Sequence, residues 1–168
     1  MQEASLLRLL LLRPELVDNV RDRLSSDLLT TTFARELWRA LESAPTTPTF
    51  DRTGFLGGLD PTLGDVARTL YARNDPLPDG QAELDQAVDQ SLLTLERNHI
   101  DEVVEFKRAE LAEAEAQQDR ETAQRILSEV RDLEAKRADF DQRKKNSSLF
   151  SMKRISEIRT PTAAGGTP

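Results

Sequence analysis

From Ala82 to Lys145 the chain has neither proline nor glycine, and its apolar residues recur at helical spacing. Glu, Ala, Gln, Leu and Arg dominate this stretch, and these residues lose little freedom in a helix. Its first part carries Leu84, Val88, Leu92 and Leu95 on one stripe, with Leu93 beside them. That width fits a helix that closes the core of a small bundle. From His99 the stripe narrows to Ile100, Val104, Lys107, Leu111 and Ala114, at alternating steps of four and three. A second narrow stripe follows Gln117-Gln118-Asp119: Ala123, Ile126, Val130, Leu133, Arg137 and Phe140. Two such stripes separated by a short break predict an antiparallel helical hairpin with coiled-coil packing. Folding at Asp119 sets Ala114 beside Ala123, Leu111 beside Ile126 and Lys107 beside Val130. It also sets Val104 beside Leu133 and Ile100 beside Arg137. A single helix over Ala82–Gln117 would be on the order of 54 Å long, so part of it should project beyond the compact N-terminal part.

The N-terminal pattern predicts several short helices. Residues Glu3–Leu12 place leucines on nearly every side of a helix, which therefore belongs inside a bundle, with Arg8 expected at its one wet edge. Pro14 restarts the chain, since proline is tolerated in the first turn of a helix. The next helix is expected to reach about Leu24, burying Leu16, Val17, Val20 and Leu24. Thr31 or Thr32 is the expected N-cap of a third helix, with Glu36 in its first turn and Phe33, Leu37, Trp38 and Leu41 on one face. It should end near Ala44, followed by the loop Pro45-Thr46-Thr47-Pro48. Phe50–Leu59 reads as a short helix stopped by Gly57-Gly58. Asp60 caps another with Pro61 at its first position, burying Leu63, Val66, Leu70 and Tyr71. The loop Asn74–Gly80 separates these elements from the long helix. The expected architecture is all-α: a helical bundle over 1–98, a hairpin over 99–145, and a basic segment and disordered tail over 146–168.

Composition adjusts this picture in three ways. Charged residues make up 32% and aromatics 5% of the 168 residues, which suits helices with wide solvated faces. The net charge of −7 argues against the phosphate backbone as main partner, because nucleic-acid affinity rests on clustered Lys and Arg. The chain lacks cysteine, which removes disulfides, thiolate metal sites and cysteine nucleophiles together. The apolar run Leu6–Leu12 is too short to span a bilayer and contains Arg8, and nothing at the N-terminus has the make-up of a signal peptide. The expectation is a cytoplasmic protein with no membrane contact.

Candidate chemistry is sparse. The carboxylates alternate with Arg and Lys at spacings of three and four, as solvated helix faces do. Glu96 and His99, three apart, have the spacing of a di-iron helix motif, but that site needs a second copy and the chain has one histidine. Gly54, Gly57 and Gly58 lack the Lys-Ser/Thr of a phosphate loop and read as a helix stop. No catalytic, cofactor-binding or metal residue is expected. Surface for a partner remains: Phe106 off the hairpin seam, Gln117, Gln118 and Arg120 at the turn, Phe140 at the open end, and Phe150 beyond it. Lys144, Lys145, Lys153, Arg154 and Arg159 gather near the C-terminus, as cations do where helices end.

The opening Glu3-Ala4-Ser5-Leu6-Leu7-Arg8-Leu9-Leu10-Leu11-Leu12-Arg13-Pro14-Glu15-Leu16 resembles the start of the C-terminal helicase-binding domain of bacterial DnaG-type DNA primases. Phe33–Leu41, with Leu37-Trp38-Arg39-Ala40-Leu41, resembles the third helix of that domain. The hairpin, with Ala114–Asp119 at its turn, resembles its terminal subdomain. The resemblance covers about Glu3–Lys144 and rests on apolar patterns. It implies a non-catalytic module without cofactors that docks onto the N-terminal domains of the replicative DnaB-type helicase and couples primer synthesis to unwinding. The primase catalytic region would then lie upstream or be encoded separately, so the chain is expected to be a fragment, a split gene product or a stand-alone relative. The N-terminal domain of the helicase itself has a similar bundle and hairpin and is the nearest rival. A self-associating coiled-coil protein with no replication role is the other.

Overall fold

The computed structural model describes residues 2–44, 50–76, 78 and 80–158, the stretch 146–158 by its backbone. The expected loop Pro45–Pro48 and tail Thr160–Pro168 lie outside the described residues. The fold is all-α, in the order α1 (Gln2–Leu12), a 3-10 turn (Pro14–Leu16), α2 (Val17–Val20), a 3-10 turn (Ser26–Leu28), α3 (Thr32–Ser43), α4 (Arg52–Gly58), α5 (Pro61–Tyr71), α6 (Gln81–Ala116) and α7 (Arg120–Ile158). No described helix is long and apolar enough to cross a membrane.

The leucine-rich α1 is the centre of the bundle. Leu6, Leu7, Leu10 and Leu11 are completely buried. Arg8 is not on a wet edge as its position suggested: it is only 7% exposed. Its Nη2 donates to the carbonyls of Arg73 and Asp75, where the chain leaves α5. A helix C-terminus presents unsatisfied carbonyls with partial negative charge, and a guanidinium is weakly hydrated enough to meet them inside. At the other end of α1, the Glu3 carboxylate accepts from the Thr30 amide and hydroxyl and from the Thr31 hydroxyl. Partial burial opposes the Glu3 charge, but these donations outweigh it and hold its carboxyl below the ordinary range. α1 is thus tied at one end to the start of α3 and along its length to the end of α5.

Pro14 does start a new turn, but the α-helix that follows is short. The amides of Arg23 and Leu24 both donate to the Val20 carbonyl, so the chain turns there rather than running helical to Leu24. Leu16, Val17, Val20 and Leu24 are buried all the same. Thr31 caps α3, its hydroxyl accepting from the Ala34 amide at 3.1 Å. Glu36 lies beyond the first turn and does not help the cap. Leu37, Trp38 and Leu41 fill the core, with Phe33 at its margin. Asp60 caps α5 by accepting from the Thr62 amide at 3.0 Å, with Pro61 at the first position. The buried face of α5 is Gly64, Ala67 and Leu70, and Val66 is 43% exposed rather than buried. Small residues let α5 approach α4 closely: a Cβ on Gly64 would lie 3.2 Å from the Leu56 carbonyl.

Two apolar clusters share α6. The bundle cluster ends with Leu84, Val88, Leu92 and Leu95, and the second begins at Ile100. α7 packs along the second and then continues. Its helix runs to Ile158, past the Lys145 boundary expected from Asn146-Ser147-Ser148. Those three residues are only modestly unfavourable in a helix, by tenths of a kcal/mol each, and no Gly or Pro interrupts them.

Candidate partner-binding site

The second cluster holds α6 and α7 together. Val104, Ile126, Val130, Ala114 and Ile100 are buried in it, with Leu111, Ala123, Leu133 and Phe140 packed against them. Lys107 sits in the middle of this seam. Its ammonium lies 2.9 Å from a Glu110 oxygen and 3.0 Å from a Glu129 oxygen, which raise its pKa. Lys107 in turn holds the Glu129 carboxyl below its ordinary range. A charge placed in an apolar seam has partners in one register only, so it penalises slippage. Further pairs cross between the helices: Arg108 with Glu134 at 2.9 Å, Arg97 with Asp141 at 2.8 Å, and Arg137 with Asp101 at 3.4 Å.

The turn is built without glycine. Gln118 takes a left-handed conformation, with φ of 59°. The Asp119 amide donates to the Ala114 carbonyl and the Gln118 amide to the Glu115 carbonyl. These are the two bonds of a Schellman C-cap, which satisfy carbonyls that α6 would otherwise leave open. Asp119 then caps α7, its carboxylate accepting from the Thr122 amide at 3.1 Å. Donation from the Thr122 hydroxyl, and then from its amide, lowers the Asp119 pKa. The helix ends therefore fit together in three residues, and the tip is rigidly defined by backbone bonding.

An open groove of about 560 Å³ lies against this tip. Leu111, Ala123 and Leu127 supply its apolar part, and Glu115, Gln118, Asp119, Arg120 and Gln124 its polar rim. Leu127 is 39% exposed. Arg120 makes no ion pair among the described residues. An apolar floor rimmed by one guanidinium, two carboxylates and two carboxamides is a surface that another chain can complete with an apolar anchor and polar groups that meet the rim.

The predicted partner residues are distributed unevenly over this geometry. Gln118 and Arg120 line the tip groove. Gln117 lies on the opposite face, among Lys107, Glu110 and Thr122. Phe106 is 61% exposed on the outer side of α6, away from the tip. Phe140 is not a free anchor: it packs at the base of the hairpin, and the Arg143 guanidinium lies 5.7 Å from its ring centre. The Phe150 side chain lies outside the described residues. Leu127 was missed, although Ile126-Leu127 gave a signal. Two adjacent apolar residues cannot both enter a narrow seam, so one must face outward.

Glu96 and His99 sit half-buried at the level where the two clusters meet. Burial raises the Glu96 pKa, against the opposing pull of Arg23 and Arg143. Among the described residues, no group of three or more His, Asp and Glu side chains could hold a metal ion. Comparison of the chain with protein-family models, curated proteins and solved structures yields no match.

Proposed function

We propose that this chain is a protein–protein interaction module that uses the hairpin tip to dock onto the N-terminal domains of a replicative DnaB-type helicase. The observation that carries the docking role is the tip groove. Leu111, Ala123 and Leu127 offer apolar surface on a hairpin with its own seam, and no other described element of the chain covers them. The resemblance of Glu3–Leu16, Phe33–Leu41 and the hairpin to primase helicase-binding domains supplies the identity of the partner. In this reading the bundle is the base, α6 is the arm, and the rigid tip presents the contact. The module brings primer synthesis to the fork by tethering and performs no chemistry itself.

Titration of the chain against a hexameric DnaB-type helicase, read by fluorescence anisotropy, tests this. Binding in the micromolar range is expected, weakened about tenfold or more by Leu127→Ser. That substitution replaces an exposed side chain, so the fold should survive, and circular dichroism checks this. An absence of binding removes the helicase role. Binding unchanged by Leu127→Ser removes the tip groove as its site.

A further inference from the structure

We propose that two copies of this chain pair antiparallel, the acidic outer face of α6 around Phe106 in one lying against the basic C-terminal stretch of α7 in the other. This surface lies off the tip groove and does not depend on the helicase reading.

Phe106 is the most exposed large apolar side chain among the described residues, at 61%. Val103, one turn earlier, is half-buried and belongs to neither apolar cluster. The surroundings of this pair are acidic. Between Asp101 and Glu115 the chain has six carboxylates against two cations, Lys107 and Arg108. Glu110 and Glu105 pair with these two cations and Asp101 with Arg97 and Arg137, which leaves Glu102, Glu113 and Glu115 without an ion pair among the described residues. Glu102 is exposed and has no partner among the described residues.

The complement lies on the same chain. From Arg143 to Arg154 there are five cations and no carboxylate, and the first of them, Arg143, already pairs with Asp139 at 2.8 Å. Lys145 is exposed, with no ion pair among the described residues. This stretch cannot reach Phe106 within one molecule. Arg108 pairs with Glu134 and Lys107 with Glu129, which sets Phe106 across from the middle of α7. α7 then runs on as one helix to Ile158, carrying the basic stretch about 20 Å along the axis toward the bundle. Only a second copy can bring the two charges together.

An antiparallel two-fold arrangement does so twice. Each copy presents its acidic face to the other's basic stretch, and the contact closes on itself as an isologous interface requires. The expected dimer is salt-sensitive, because much of its attraction is between exposed charges.

Sedimentation velocity on the full chain, over roughly 1–300 μM and at low and high salt, tests the proposal. A dimer at low salt is expected, dissociating as salt rises. Phe106→Ser should weaken it about tenfold or more, with the helical spectrum unchanged. Glu102→Lys and Lys145→Glu should each weaken it, and the double variant should recover it. Because the chain has no native cysteine, Phe106→Cys and Lys145→Cys should also form an intermolecular disulfide when mixed. A monomer throughout the range overturns the proposal. So does a dimer that these substitutions leave unchanged, since it would then form through another surface.

Discussion

The bundle and the hairpin share one helix and differ in how they are held. Around α1, leucines from several helices and Trp38 bury completely, and polar groups such as Arg8 and Glu3 act as fasteners between elements. In the hairpin the core is one seam wide. Among the described residues of the hairpin Val104 alone, at 1% exposed, is buried as deeply as Leu16, Leu24 and Trp38 of the bundle, and ion pairs with Lys107, Arg108 and Arg97 flank the seam. Exposed pairs contribute little each, of order 0–1 kcal/mol. The difference teaches that α6 serves two purposes along its length: it closes a thick core up to Leu95 and braces a thin one from Ile100. A thin element of this kind can be altered without unfolding the thick one.

The largest expected effect is in the bundle. Trp38→Ala should cost about 3–5 kcal/mol and abolish cooperative unfolding, seen by urea denaturation followed by circular dichroism. Ile126→Ala should cost about 2–4 kcal/mol in the seam yet spare the bundle. Hydrogen exchange should then accelerate from Ile100 to Phe140 while the amides of Leu84–Leu95 stay protected. Loss of protection in both regions would break the distinction between them. A smaller change sharpens it: Gln118→Gly relieves a left-handed non-glycine residue and should stabilise the hairpin by about 1 kcal/mol. The tip bonding should be unaltered, so the gain appears as slower exchange in the hairpin alone.

The smallest effects separate two carboxylates by pH. Glu3 has a lowered pKa, so its contribution is present above the ordinary carboxyl range and is lost as pH falls through its folded value. Glu3→Gln should therefore destabilise the chain at pH 7, and the deficit should close in acid. Burial raises the Glu96 pKa, so the sign reverses. The folded state favours its protonated form, an advantage complete below the ordinary range and lost as pH rises through the folded value. Glu96→Gln should give a small gain at pH 7 that disappears as pH falls. Thermal melts of both variants between pH 4 and pH 7 check the two signs.

Much of this architecture was legible in periodicity. Stripe width distinguishes a helix packed against several neighbours from one packed against a single partner, which is why α6 reads as two segments. Caps were legible for a related reason: Thr31 and Asp60 stand immediately before apolar periods. Arg8 was misread because a helix apolar all round has no wet side, and its partners are carbonyls some 65 positions away that no local pattern reveals. Val66 was misread because the side of α5 that packs is set by small residues that permit close approach. The end of α7 was placed too early because weak helix formers slow a helix without stopping it. Gln118 and Arg120 stand out in the sequence by their place in the turn, and the structure sets both on the tip groove. Leu127 required knowing which of two adjacent apolar residues the seam admits.

Hydrogen exchange of the chain alone and with a hexameric DnaB-type helicase tests the central claim most directly. The account predicts slowed exchange around the tip, from about Leu111 to Leu127, with the amides of α1 and α3 unchanged. No slowing at the tip, or slowing confined to the bundle, would contradict it.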